Sequence, residues 1–150
     1  MTPQPILVSA CLVGLSTRYD GKTKRNAEVL DYLRRHNLIP VPVCPEQLAG
    51  LPTPRPMTFF LAGSGTDVLD GRGIIATGEG TVMNDVFIKG AEETLEITRL
   101  TGCKLALLKD GSPSCGVHRI CRNKERVAGM GVTAALLQRN GMQCISEEDL

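Results

Sequence analysis

The sequence predicts an α/β fold, a small mostly parallel sheet covered by helices, and three observations carry that expectation. Short apolar runs alternate with segments whose apolar residues fall at helical spacing, the pattern of β/α units joined by crossover connections. Three of the apolar runs end close to a cysteine that has Ser, Pro or Gly nearby, in "SACLVG", "PVCPE" and "SPSCG". No internal repeat or low-complexity tract interrupts the alternation.

Residues 6–10 form the first apolar run and read as a strand. The polar stretch "GLSTRYDGKTKRN" follows as a loop, and "NAEVLDYLRRHN" places Ala27, Leu30 and Leu33 on one helical face with Asn26 as its N-cap. "LIPVPVC" is a second strand. Pro40 and Pro42 each remove a ladder donor, which suggests an edge position or an irregular entry.

From Cys44 to about Gly65 the density of Pro and Gly argues for an irregular loop over one end of the sheet. "TDVLDGRGIIATGEG" reads as a hairpin turning at Asp70-Gly71. "NDVFIKGAEETLEITRLTG" is a helix capped by Asn84 or Thr81 and stopped by Gly102. "CKLALL" is then a strand, "GVTAALLQRNG" a helix and "MQCIS" a final short strand. Right-handed crossovers would make the arrangement a Rossmann-like three-layer fold, with ligands gathering at the carboxyl ends of the strands.

With 150 residues, 42% of them hydrophobic, the chain can bury a core as one domain over 1–150. Seventeen basic against 16 acidic residues leave no overall field for holding nucleic acid or a membrane, so a polyanion would need a local patch. The opening "MTPQPILVSACLVG" has no basic segment and its apolar run breaks at Ser9, which fits neither a signal peptide nor a span. The expectation is a cytoplasmic protein.

In that compartment thiols stay reduced, and six cysteines are not a disulfide framework. No CxxC occurs, which argues against a zinc ribbon, a thioredoxin-type pair or a ferredoxin run. Cys11, Cys44 and Cys115, each just past a strand end, can meet only through the fold. A cationic centre is the physical reason to gather three thiolates, and both zinc and an iron–sulfur cluster suit them. Simple packing of small apolar side chains is the competing account. It is the better account for Cys103 and Cys144, while Cys121 remains a candidate fourth ligand. His36 and His118 lack a metal-type partner at i+4 and read as solvated or locally bonded.

"SACLVGLSTRYDG", "PVCPEQLAGLPTPRP", "DVLDG" and "LLKDGSPSCG", in this order, together with "GMGVTAALLQRNG", resemble the thiouracil desulfidase family over nearly the whole chain. The resemblance implies a 4Fe-4S cluster on Cys11, Cys44 and Cys115 with one iron open. It also implies hydrolytic removal of sulfur from a thiolated pyrimidine such as 2-thiouracil, giving uracil and hydrogen sulfide. Glu46 and Ser112 are the implied catalytic pair. On the residues alone, Glu46 could equally be a solvated carboxylate at a helix start and Ser112 a turn-former bonding its own backbone.

Arg18, Tyr19 and Asp20 after Cys11, Arg55 after Cys44, and Lys109 before the Ser112 turn are candidates for contacting a planar heterocycle or balancing the charge of the centre. An Arg–Asp pair tying loops together, and an ordinary strand-end lysine, are the alternatives. The segment "VHRICRNKERVAGMG" is more basic than the family pattern. His118, Arg119, Arg122, Lys124 and Arg126 could favour a phosphorylated nucleotide or thiolated RNA over a free base, or form a solvated loop. A non-catalytic sulfur carrier or sensor, and a zinc hydrolase, are the other functional readings of the same ligands. The oligomeric state is open.

Overall fold

A computed structural model describes residues 2–150. In chain order the elements are β1 (Gln4–Ser9), α1 (Ala27–Arg35), β2 (Leu38–Val43), α2 (Pro45–Leu48), β3 (Thr58–Ala62), α3 (Gly65–Leu69), β4 (Ile74–Thr77), α4 (Asn84–Thr101), β5 (Leu105–Leu108), β6 (Arg119–Arg122), β7 (Glu125–Ala128), α5 (Val132–Arg139) and β8 (Gln143–Ser146). Single 3-10 turns occupy Ala10–Val13 and Glu147–Asp149.

The expected parallel sheet is present, ordered β2-β1-β5-β8. Alternation along β1 sorts its side chains onto two faces. Ile6 and Val8 pack with Val29 and Leu33 of α1, whereas Leu7 joins Leu95 of α4 and Ala134 and Leu137 of α5. Helices therefore cover both faces, the burial that an all-parallel sheet requires. The proline-bearing β2 lies at the edge, as its missing donors dictate, and Pro40 and Pro42 are exposed. Among the described residues no helix is long and apolar enough to cross a membrane.

Asn26 caps α1 as expected, its side chain accepting from the Glu28 and Val29 amides, and Gly102 ends α4 at φ 74°. The N-terminus of α4 differs. Met83 holds the cap position, and the Asn84 side chain instead accepts from Ile75 N and donates to Gly73 O, tying the helix start to β4.

A second sheet, β4-β3-β6-β7, packs through Phe60, Ile75 and Ile120 onto Phe87 and Ala91 of α4 and Val132 of α5. It corrects three local expectations. The proline-rich segment hides β3 in "TFFLA", and the hairpin expected at Asp70-Gly71 does not form. Ser64 and Asp67 close a capping box there, so the residues before Asp70 become α3, and β4 pairs antiparallel with β3. The basic segment after Cys115 is an ordered hairpin, β6–β7. Asn123 and Lys124 adopt φ of 50° and 68° in its two-residue turn, the left-handed pair that matches strand twist.

Candidate active site

Parallel pairing places the carboxyl ends of β2, β1 and β5 side by side, and each delivers one cysteine. Cys11 sits in the 3-10 turn directly after β1, Cys44 at the cap position of α2 directly after β2, and Cys115 in the loop leaving β5. All three line one cavity of about 420 Å³. Ser9 fastens β1 to β5 at this end, its hydroxyl accepting from Lys109 N at 2.9 Å.

Burial pushes the Cys11 thiol up to about 11. Burial also raises Cys115, and the neighbouring Cys11 and Cys44 charges add to it. Burial thus favours the protonated form of Cys11 and Cys115 until a cation is beside them. The donor chemistry fits a thiophilic centre: three soft sulfurs share one cavity. Among the described residues no three His, Cys, Asp or Glu side chains stand gathered as they would be around a metal ion.

Glu46 lies in the first turn of α2, where Pro45 fixes the helix start. Both its oxygens are held. Arg55 Nε donates to Oε1 at 3.0 Å and the buried Ser114 hydroxyl donates to Oε2 at 3.1 Å. Gly90 of α4 allows this turn to dock, since a Cβ there would stand 2.3 Å from Pro45 O.

Arg55 itself binds the carbonyls of Pro52 and Thr17, the Thr53 hydroxyl and Cys44 Sγ, while its own amide donates to Tyr19 O. Its fork of donors is committed to the protein. It ties the loop after Cys11 to the loop after Cys44, and fixes Glu46 between them.

The loop bearing Cys115 is organised by a carboxylate. Asp110, only 2% exposed, accepts from the amides of Gly111, Val117, His118 and Arg119. Burial would raise its pKa, but the amides of Arg119, His118 and Val117 outweigh that and hold it below the usual range. Inside the loop, Ser112 Oγ accepts from Cys115 N at 2.7 Å. Behind it the first amides of α5 are satisfied by the loop's carbonyls, Val132 N by Pro113 O and Thr133 N by Ser114 O.

The cavity lining includes Cys11, Cys44, Cys115, Glu46, Ser112, Arg18, Tyr19, Arg55 and Lys109. Asp20 stands outside it, paired with Arg18 at 3.3 Å, and Arg18 lies over the Tyr19 ring. Cys121 also lines the cavity from β6, whereas Cys103 is buried in the core and Cys144 packs against it. His36 stacks on Tyr32 and His118 pairs with Asp149.

Sequence reasoning missed Ser114 and Asp110. Ser114 differs from Ser112 only by its place in "SPSCG", and nothing in the pattern tells which serine faces Glu46. For Asp110, the "DG" pair after an apolar run signalled a turn but not a hub for four amides.

The fold and this cavity define an α/β protein with a thiol-lined pocket at the carboxyl ends of its parallel strands. Comparison with known proteins narrows that class. The model of the 2-thiouracil desulfurase family matches residues 6–149, and the chain belongs to that family. It is 35% identical over 148 residues to the uncharacterized protein YbbK of Bacillus subtilis (strain 168), covering 97% of each chain. It is also similar to a solved [4Fe-4S]-dependent thiouracil desulfidase, TudS, with a TM-score of 0.83 and 38% identity over 98% of this chain and 93% of that one.

Proposed function

We propose that this chain is a 4Fe-4S-dependent desulfidase that hydrolyses the carbon–sulfur bond of a thiolated pyrimidine such as 2-thiouracil. Water supplies the oxygen of the uracil formed, and the sulfur leaves as hydrogen sulfide. The observation that carries this reading is the shared cavity of Cys11, Cys44 and Cys115, with Glu46 fixed at its wall by two donors. Family membership and the likeness to TudS support it.

Cys11, Cys44 and Cys115 would hold the cluster, leaving one iron without a protein ligand. When bound, it supplies a soft Lewis acid for the thiocarbonyl sulfur. The chain's own residues do the rest. Glu46, its two oxygens fixed by Arg55 and Ser114, would take a proton from the attacking water and return it to the departing sulfur. Ser112 accepts from Cys115 N, which leaves its own hydroxyl proton to donate to the pyrimidine. Lys109 brings positive charge beside the thiols, and the Tyr19 ring with Arg18 forms a wall for a flat heterocycle.

One observation favours a phosphate-bearing substrate as a second reading. Lys24, Arg119, Lys124 and Arg126 line the same cavity, more cation than a neutral base requires. Six free thiols fit a reducing, cytoplasmic setting.

The test is anaerobic purification with iron and sulfide analysis, followed by sulfide release from 2-thiouracil, a thiolated nucleoside monophosphate and thiolated tRNA. About four irons per chain and turnover of at least one substrate are expected. Serine at position 11, 44 or 115 should abolish iron binding, whereas C103S should retain it. One zinc without sulfide, or a full cluster with no turnover of any substrate, would overturn the desulfidase reading.

A further inference from the structure

We infer that Glu147, on the 3-10 turn after β8, is a positioning residue of the active site, acting through Lys109 and the backbone of Asp110. The inference rests on the reading that the Cys115 loop forms a wall of that site.

β8 pairs with β5 in register Leu108↔Ser146, so the turn at Glu147–Asp149 emerges beside the first residues of the Cys115 loop. Ser146, fully buried, fixes the turn: its amide donates to Asp149 Oδ2 at 2.8 Å and its hydroxyl accepts from Glu148 N. Three consecutive acidic side chains then reach the two stems of the loop. Glu147 takes the stem leaving β5, with Oε1 accepting from Asp110 N at 2.7 Å and Oε2 meeting Lys109 Nζ at 2.8 Å. Glu148 pairs with Arg119 and Asp149 with His118 on the stem entering β6.

The three contacts differ in burial, and that decides which one matters. The side chains of His118 and Asp149 are 54% and 37% exposed, so water competes for their pair. Those of Lys109 and Glu147 are 22% and 10% exposed. Lys109 also donates to Asp110 O, and it lines the cavity with Cys11 and Cys115. Glu147 therefore does two things at one point. It anchors a flexible four-carbon ammonium at the cavity wall, and it satisfies the amide of Asp110, whose carboxylate gathers the amides of residues 117–119. Removing it orphans a buried N–H and leaves the ammonium only its bond to Asp110 O.

Hydrogen exchange and turnover of the full-length, anaerobically purified protein test this with E147A and E147Q. In E147A, exchange of the 109–119 segment should quicken about tenfold while the α4 segment 84–101 stays at the wild-type rate. Turnover number should fall about tenfold with KM within about twofold. E147Q keeps an acceptor for Asp110 N, so it should restore the exchange rate but not the turnover, separating the backbone tie from the ammonium anchor. Wild-type exchange and turnover in E147A would overturn the inference, as would quickening spread equally over 84–101 in both variants. If the wild-type protein holds no cluster and releases no sulfide, the desulfidase reading fails by itself, and exchange alone then decides whether Glu147 holds the loop.

Discussion

Arg55 Nε meets Glu46 Oε1 at 3.0 Å, and the two side chains are almost sealed from water, 4% and 13% exposed. The pair joins a residue of the Pro-rich loop to the turn that follows Cys44. A buried ion pair of this kind adds little net stability, but removing one partner strands the other. R55A should therefore destabilise the protein by about 3–5 kcal/mol, read as a lower urea midpoint. R55K retains the charge without the fork that spans Glu46, Thr53, Thr17 and Cys44, and should recover only part of the stability and little of the turnover. A midpoint in R55A within experimental error of wild type would remove Arg55 from its place as the tie between these loops.

The two serines of "SPSCG" do different work, and substitution separates them. S114A deletes the donor to Glu46 Oε2, leaving a carboxylate oxygen short of a partner at a cost of about 1–3 kcal/mol. Cluster content should be unchanged and turnover reduced about tenfold. S112A removes the acceptor for Cys115 N, so the ligand loop loosens and bound iron should be lost faster on exposure to a chelator. Iron retention and turnover measured on the same preparations check both. Equal effects of the two variants on both readouts would mean that the serines act only as loop formers.

The main sheet was legible because its signals are local and redundant. β1 and β5 carry the apolar stretches at residues 6–8 and Leu105–Leu108, β2 marks itself as an edge with Pro40 and Pro42, and Asn26 announces α1. That Cys11, Cys44 and Cys115 would line one cavity was legible for the same reason, since a parallel sheet aligns strand ends. The second sheet was not. β3 lies inside a segment whose prolines suggest irregularity, and its partners are set by long-range burial of Phe60, Ile75 and Ile120 that no period reveals. The site's polar wiring was hidden for a related reason. Arg55 reaches Glu46 and Ser114 reaches it from 68 positions away, contacts that exist only once the loops fold over one another.

Gly90 offers a test in which two effects oppose. In the interior of α4 a Gly→Ala change normally stabilises by about 1 kcal/mol through helix propensity. Here the new Cβ would stand 2.3 Å from Pro45 O and 2.9 Å from its carbon, and backbone cannot swing aside as a side-chain tip can. Overpacking costs of about 1–3 kcal/mol should reverse the sign, and the strain falls on the turn that presents Glu46. G90A is expected to melt lower than wild type and to turn over more slowly with its iron intact. A higher melting temperature would show that α2 yields freely and that its docking on α4 does not set Glu46.

The pH dependence of stability carries the signature of the pair that closes the hairpin stem. Asp149 raises the His118 pKa above its ordinary value by hydrogen bonding, and the Ser146 amide, then His118, lowers that of Asp149. A group whose folded pKa is raised contributes stability fully below its unfolded value, near pH ~6.5, and loses it as pH climbs through the folded one. For Asp149 the sign is opposite: its contribution is present above about pH 3.9 and fades as pH falls through the lowered value. The pair is thus complete between about pH 4 and 6.5 and weakens on the alkaline side. Because both side chains are more than a third exposed, solvent screening keeps the effect below about 1 kcal/mol. Urea midpoints between pH 6 and 9 should decline by that amount in the wild type, and D149N should flatten the decline. An unchanged slope in D149N would place the titration elsewhere and leave the closing turn held by Glu147 and Glu148 alone.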